Sequence, residues 1–399
     1  MAPAAAAAAA LSDDLLREIL LRLPTPADLA RASLASKPFL RAARNAAFLR
    51  RFRRLHSSSS CPFLLGCLLL HSDHPDYPFP ILIPSSSSSS SAGCARDGDF
   101  SLSFLPRGGW LGGGGDSGGA AWQLLDCRNG RFLVKNRASR ELAVADPLAR
   151  RCVSLPPLPA ADRRLVGYGL VADYGDSSAF RVFFIAHDGG DGDGDGEMRA
   201  LVLSSGELSW AVAGLPGRRP NLAGARAFMQ ANGSLYWTME GGESMAALNT
   251  ATMEFTVVEL PAPLRQLSFD VVEKGEDDNG LYILTMRGFC VEVWAGVDDG
   301  AGAGAGGMSW TRVEKSVRFH KAMAMMQHDS VELYHHGLDV IGVVAGVLFL
   351  RQWNCLLSID LETMRLRRLS DEDCSSAMIY PFAMPWPPAF LNPTEEHGA

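Results

Sequence analysis

The sequence predicts a multidomain chain: a small all-α module of three helices, then an all-β propeller of about six blades. Three observations lead there. Apolar residues at helical spacing are confined to residues 11–56, a turn-then-strand unit recurs through the long remainder, and Gly- or Ser-rich inserts separate those units. The 399 residues are 47% hydrophobic and 20% charged, with 40 Gly and 23 Pro, which excludes a disordered chain and, without a three-residue Gly period, collagen. By length two or three domains fit. The formal charge of -7 argues against whole-protein attraction to nucleic acid.

Residues 1–10 are almost all Ala, without a basic start or a Leu-rich stretch, so a disordered start is expected rather than a secretory signal. Leu15, Leu16, Ile19, Leu20 and Leu23 then recur at offsets that put them on one wide helical stripe. Ser12 can cap this first helix, Asp13 and Asp14 suit its positive end, and Pro24 ends it. Thr25-Pro26-Ala27-Asp28 matches a capping box with Pro at the first helical position, starting a second helix with Leu29, Ala32 and Ser33 inward. A third helix is expected from about Pro38, with Phe39, Ala43, Ala47, Phe48, Phe52 and Leu55 keeping the spacing to His56. So small a module buries little surface alone, and a partner is expected.

The segment LSDDLLREILLRLPTPADLARASLASKPFLRAARNAAFLRRFRRLH resembles an F-box. Leu11, Asp13, Asp14, Leu15, Ile19, Leu20, Leu23, Pro24, Leu29, Ser33, Ser36 and Lys37 match positions of that family's pattern. Ser12 stands where the family usually has Pro, and Phe39 where it usually has Trp, which removes an indole N–H and some contact area. The resemblance implies docking of a Skp-type adaptor and, through it, a cullin-based ubiquitin ligase. Its expected docking residues here are Leu11, Leu15, Ile19, Leu20, Leu23, Pro24, Leu29 and Phe39, some of which must instead hold the helices together. The alternative is a small helical cap on the larger domain. Arg41, Arg44, Arg50, Arg51, Arg53 and Arg54 form a basic run with no nearby acid, read as a solvated helix face in preference to a nuclear-import or nucleic-acid patch.

After a linker at residues 57–61, the chain from 62 to 391 reads as short strands. Cys127–Val134 is echoed by Ala231–Trp237, Asp278–Leu284 and Val344–Leu350, each a turn followed by an aromatic-rich strand. A second strand follows in Leu142–Pro147, Met245–Thr250, Cys290–Trp294 and Leu356–Asp360, and a third in Cys152–Pro157, Phe255–Pro261 and Arg365–Leu369. Trp210 and Trp310, each after Ser, fit the third position of the remaining units. Asp-Pro and Asn-Thr pairs suit the turns because their side chains accept backbone hydrogen bonds and tolerate unusual dihedrals. Such repeats are the pattern of a propeller, kelch-like in repeat length. The RRFRRLH to PFLLGCLLL transition and DPLARRCVSLPP also resemble the F-box-associated propellers of plant F-box proteins. A two-layer β-sandwich with appendages is the alternative.

Four inserts, 84–98, 111–120, 187–196 and 298–307, are expected as loops beyond the blades, and 392–399 as a disordered tail. The Gly-Asp run at 191–196 lacks the Glu and flanking helices of a calcium loop, and the Gly run at 300–307 lacks a βαβ frame. Asn232-Gly233-Ser234 is read as a turn. His335-His336 and His71 with His74 lack convergent ligands, and the 8 Cys contain no CxxC pair, so neither a metal nor another cofactor is expected. No apolar run reaches the roughly 20 residues of a membrane span, so no membrane partner is expected. No nucleophile elbow, metal-binding helix or ordered carboxylate pair suggests an enzyme.

The expected function is therefore a non-catalytic adaptor, in the cytoplasm and/or nucleus, that holds a Skp-type protein through its helices and a protein substrate of unknown identity through its propeller. The alternatives are a propeller that binds a protein or glycan without ligase function, and a propeller oxidoreductase or hydrolase. Substrate-binding residues cannot be placed from loop sequences alone.

Overall fold

The computed structural model describes residues 11–24, 26–56, 64–71, 80–84, 98–105, 122–159, 164–172, 179–187, 198–215, 226–239, 241–265, 267–272, 280–298, 308–313, 317–318, 338–344, 346–352, 354–370, 374–375, 377–383 and 391. The four inserts fall largely outside the described residues, as do residues 1–10, the linker, the tail, His74 and the two adjacent histidines.

Among the described residues four helices, not three, make up the amino-terminal module: α1 (Asp13–Leu20), α2 (Pro26–Ala35), α3 (Lys37–Ala43) and α4 (Ala46–His56). The expected third helix breaks because Asn45 caps a new one, its Oδ1 accepting the Phe48 N–H at 2.9 Å. Ser12 caps α1 by accepting the Leu15 N–H at 3.4 Å, and Ser36 caps α3 by accepting that of Phe39 at 3.4 Å. Tight turns from Leu23 N–H to the Leu20 carbonyl and from Arg22 N–H to the Ile19 carbonyl end α1 before Pro24. Leu16, Leu20, Leu29, Phe48, Leu49 and Phe52 fill the module's core. Leu391, far downstream in the sequence, is buried in that same core.

The rest is a six-bladed β-propeller, which excludes the sandwich. Blade 1 joins the two ends of the region: β1 (Leu64–His71) lies between β2 (Ile81–Pro84) and β25 (Ala377–Ala383). Blade 2 is β3 (Trp122–Arg128), β4 (Arg131–Asn136), β5 (Leu142–Asp146) and β6 (Arg151–Leu155). Blade 3 is β7 (Arg164–Ala172), β8 (Phe180–His187), β9 (Met198–Ser204) and β10 (Ala211–Leu215), with the short β11 (Arg226–Ala227) running parallel to β7. Blade 4 is β12 (Met229–Ala231), β13 (Ser234–Thr238), β14 (Ser244–Asn249) and β15 (Phe255–Glu259). Blade 5 is β16 (Phe269–Val272), β17 (Leu281–Arg287), β18 (Cys290–Asp298) and β19 (Met308–Arg312), with β20 (Val317–Arg318) also on β18. Blade 6 is β21 (Asp339–Val344), β22 (Val347–Gln352), β23 (Cys355–Asp360) and β24 (Arg365–Ser370). Ring closure therefore rests on antiparallel pairing of β1 with β25, from Leu64 opposite Ala383 to His71 opposite Ala377. Gly66 sits at a bulge there, where a Cβ would collide with the Ile83 carbonyl.

Apolar layers between successive blades supply the burial, among them Phe132 with Phe382 between blades 1 and 2, and Phe228 with Trp237 between blades 3 and 4. Gly169 leaves room for the Phe228 ring, since a Cβ there would lie 2.7 Å from it. Polar links cross the same boundaries. Trp210 donates its indole N–H to the Pro156 carbonyl at 3.0 Å, and Trp310 donates to the Glu259 carbonyl at 2.8 Å. Both tryptophans thus tie an outer strand to the preceding blade. Arg181 donates to the Thr250 carbonyl at 2.6 Å, and Asn232 to the Gly280 carbonyl at 3.1 Å.

Turns between the third and fourth strands repeat one device. Asp146, Asn249 and Asp360 each accept two backbone N–H groups, from the residues two and three places on. Acceptance matches expectation, but the left-handed residue is the one four places on: Arg150 (φ 51), Met253 (φ 60) and Met364 (φ 55). The side-chain cap leaves the Asp or Asn in an ordinary conformation and moves the strain downstream.

Candidate functional site

On α1 one apolar side is buried and a second is not. Leu16 and Leu20 face the core, whereas Leu15 and Ile19, four residues apart, are 54% and 44% exposed, and Leu11, just before the cap Ser12, is 39% exposed. The wide apolar stripe of the sequence thus splits into a core row and a surface row. Of the other expected docking residues, Leu29 is fully buried, and Leu23 and Phe39 are half-buried against the helical core. Pro24 is exposed. Leu20 and Leu29 therefore hold the module together, as some of the expected docking residues must. Leu34 on α2, 68% exposed, went unnoticed in the sequence although its spacing from the buried Leu29 and Ser33 already sets it off the inner face.

Ion pairs surround the surface row. Asp13 binds Arg41 through two hydrogen bonds of 2.7 and 3.1 Å, Asp14 binds Arg17 at 2.8 Å, and Glu18 binds Arg51 at 2.7 Å. The Arg41 hydrogen bond holds the Asp13 carboxyl below its ordinary range. This corrects the reading of the basic run as lacking acids: two of its arginines meet carboxylates of α1, separated from them by 28 and 33 residues in sequence. An apolar row with a polar, charged border is the composition of a protein-docking patch.

The propeller axis offers a different chemistry. Asp126 is 2% exposed and accepts backbone N–H groups from Cys127 and, on the next blade, Leu170, each at 2.8 Å. Asp270, three blades on, accepts those of Val271 at 2.9 Å and Val343 at 2.7 Å. Arg128 extends between them, its Nε 3.6 Å from Asp126 and its guanidinium donating to the Phe228 carbonyl at 2.6 Å. Burial pushes both carboxyls above their ordinary value, against the opposing pull of Arg128 and the amides. Each carboxylate thus joins the first strands of two neighbouring blades. Neither aspartate was singled out in the sequence; each follows an apolar run and has no motif around it.

Among the described residues no group of three or more His, Cys, Asp or Glu could hold a metal ion, and no helix is long and apolar enough to cross a membrane. Six cysteines are described, all as free thiols, and burial raises the pKa values of Cys67 and Cys127.

Leu64 begins β1 opposite the end of β25, so the chain enters blade 1 from α4 and leaves it toward Leu391 at the same end of one sheet. That end carries the first-to-second strand turns, such as Asn129-Gly130 and Asn232-Gly233. The second-to-third strand turns, including Asn136–Glu141 and Gly288-Phe289, lie at the opposite face.

A family model described as "F-box protein AT5G49610-like, beta-propeller" matches residues 123–390. No curated protein matches. Among solved structures, the PQQ-bound aldose sugar dehydrogenase of Streptomyces coelicolor is 15% identical, covering 62% of this chain and 80% of that one at a TM-score of 0.29. The Cps50 (Swd1) β-propeller domain of Myceliophteria thermophila is 8% identical over 62% and 86% of the two chains, with a TM-score of 0.31. A nidogen/laminin complex chain is 10% identical over 65% and 97%, at 0.27. At those TM-scores none of the three bears on function.

Proposed function

The chain belongs to the family of AT5G49610-like F-box protein β-propellers, and from that premise we propose that it is the substrate-recognition adaptor of a cullin-based ubiquitin ligase. Residues 11–56 act as the F-box and dock a Skp-type adaptor; the propeller captures a target protein. The observation that carries this reading is the exposed pair Leu15 and Ile19 on a helix whose other apolar side is already buried, with the exposed Leu11 just before its cap. Fully buried by a partner, each such side chain contributes about 1.5–3 kcal/mol. Target capture falls to the propeller face opposite the end where β1 begins and β25 finishes, the face that carries the second-to-third strand turns. The protein then works by proximity, holding target lysines near a ubiquitin-conjugating enzyme, and no residue of this chain performs chemistry. The cytoplasm and nucleus are the compartments in which this role is exercised.

A pull-down with a Skp-type adaptor compares wild type with Leu15→Asp/Ile19→Asp. Recovery should fall at least about tenfold in the variant. Equal recovery would leave a propeller that binds its ligand without a ligase.

A further inference from the structure

Glu292, the third residue of β18, is 5% exposed, so its charge needs a partner. Two arginines supply it. Arg312 donates to Oε1 at 3.4 Å, and Arg287 Nε stands 3.4 Å from Oε2, which accepts no hydrogen bond. Thr285, directly opposite Glu292, does not relieve Oε2, because its hydroxyl donates to the Ser268 carbonyl at 2.7 Å. Both arginine contacts are longer than the roughly 2.7–2.9 Å of a tight charge-assisted bond. Arg287 has a second anchor, the Pro263 carbonyl between blades 4 and 5, to which it donates at 2.8 Å. The arginine side chains stay 51% and 59% exposed. Both stand at the propeller face assigned to target capture: Arg287 ends β17 before the Gly288-Phe289 turn, and Arg312 ends β19. Two guanidinium charges on one carboxylate leave one positive charge over. On the same face Glu243 with Arg265 and Asp339 with Arg351 match one to one.

We propose that Arg287 and Arg312 form a carboxylate-binding site, and that it takes an Asp or Glu side chain of the target protein. Glu292 and the Pro263 carbonyl hold the two guanidiniums at one place, and each guanidinium has a single hydrogen bond made, so most of its N–H donors are left for a ligand. Their planar forks suit a carboxylate. The spare charge also selects among anions. A carboxylate brings one negative charge and balances the site, whereas a phosphorylated side chain brings about -1.5 to -2 next to the buried Glu292 and leaves the site negative. The assignment rests on the reading that this face captures the target. It is measured on the purified chain with no adaptor present, so its failure and the failure of adaptor docking are told apart.

The test follows the side-chain Nε–Hε signals of Arg287 and Arg312 by NMR of the full chain carrying isotope-labelled arginine, each signal assigned by its loss in Arg287→Lys or Arg312→Lys. A terminally blocked tri-glutamate peptide is titrated at fixed ionic strength from about 0.1 to 50 mM. Both signals should move saturably, with a Kd on the order of 1–10 mM, and a blocked tri-glutamine peptide should move neither. Inorganic phosphate, and acetate as a carboxylate without a peptide, should bind at least about threefold more weakly. Arg312→Gln leaves Glu292 and Arg287 matched and should weaken tri-glutamate binding at least about fivefold, read on the Arg287 signal. Arg312→Lys keeps the charge and should bind more tightly than Arg312→Gln, which separates lost charge from lost packing. Signals that stay still, that move equally with tri-glutamine, or that respond as tightly to phosphate or acetate would each overturn the proposal. So would an Arg312→Gln chain of wild-type affinity, or one that Arg312→Lys does not improve upon.

Discussion

Asp126 on the first strand of blade 2 accepts the Leu170 amide of blade 3 at 2.8 Å, and Asp270 repeats the contact with Val343 between blades 5 and 6. Two carboxylates in equivalent places thus join neighbouring first strands around the axis. Asp126→Ala leaves the amides of Leu170 and Cys127 without this acceptor and Arg128 without its adjacent charge. The expected loss is about 2–4 kcal/mol of unfolding free energy, read from urea denaturation.

The same residue makes a prediction about pH. Burial raises the folded pKa of Asp126 above 3.8, so between 3.8 and that raised value the folded chain keeps a proton the unfolded chain has released. Its contribution is therefore complete below pH 3.8 and is lost as pH rises through the folded value. Asp360, lowered chiefly by the Thr363 amide, acts in the opposite sense: its contribution is present above 3.8 and disappears as pH falls through its folded pKa. Urea midpoints from pH 4 upward should show wild type losing ground relative to Asp126→Asn. Parallel curves would contradict this assignment.

Trp210 and Trp310 make equivalent indole bonds to the preceding blade. Replacing either by Phe keeps most of the ring and removes the donor, costing about 1 kcal/mol. The two lie in different blades, so the double variant should cost the sum within about 0.5 kcal/mol in thermal or urea unfolding.

Leu391 binds the helical module's core although it follows the last propeller strand. Leu391→Ala should cost about 2–5 kcal/mol locally and speed amide exchange in α1 and α4 before exchange in the blades. Adaptor affinity should fall with it, even though the buried Leu391 side chain makes no surface contact.

The sequence made the repeated strands legible because Gly, Asn or Asp marks their turns and most of them carry apolar residues between those marks. First strands such as Met229–Ala231 and Phe269–Val272 escaped notice because three or four residues are too few to show a period of two. Closure was illegible because it pairs residues more than 300 apart in sequence, and nothing near Leu64 points to Ala383. On α1 the periodicity placed Leu15, Leu16, Ile19 and Leu20 on one stripe, and only the packing of α3 and α4 decided which pair faces outward. Asn45 did carry a signal for the helix break, because Asn before Ala-Ala-Phe is a good cap, but the apolar spacing continues through it.

The account rests on the outward row of α1. Its most direct test is the affinity of the purified full chain for a Skp-type adaptor, measured by titration calorimetry for wild type, Leu15→Asp/Ile19→Asp, and Leu208→Asp as a control exposed at 90% on the propeller. The α1 variant should bind at least about 100-fold more weakly, the loss of two buried leucine-sized anchors, with an unchanged melting temperature, and the control should bind as wild type. An α1 variant that keeps wild-type affinity would contradict the docking role of Leu15 and Ile19.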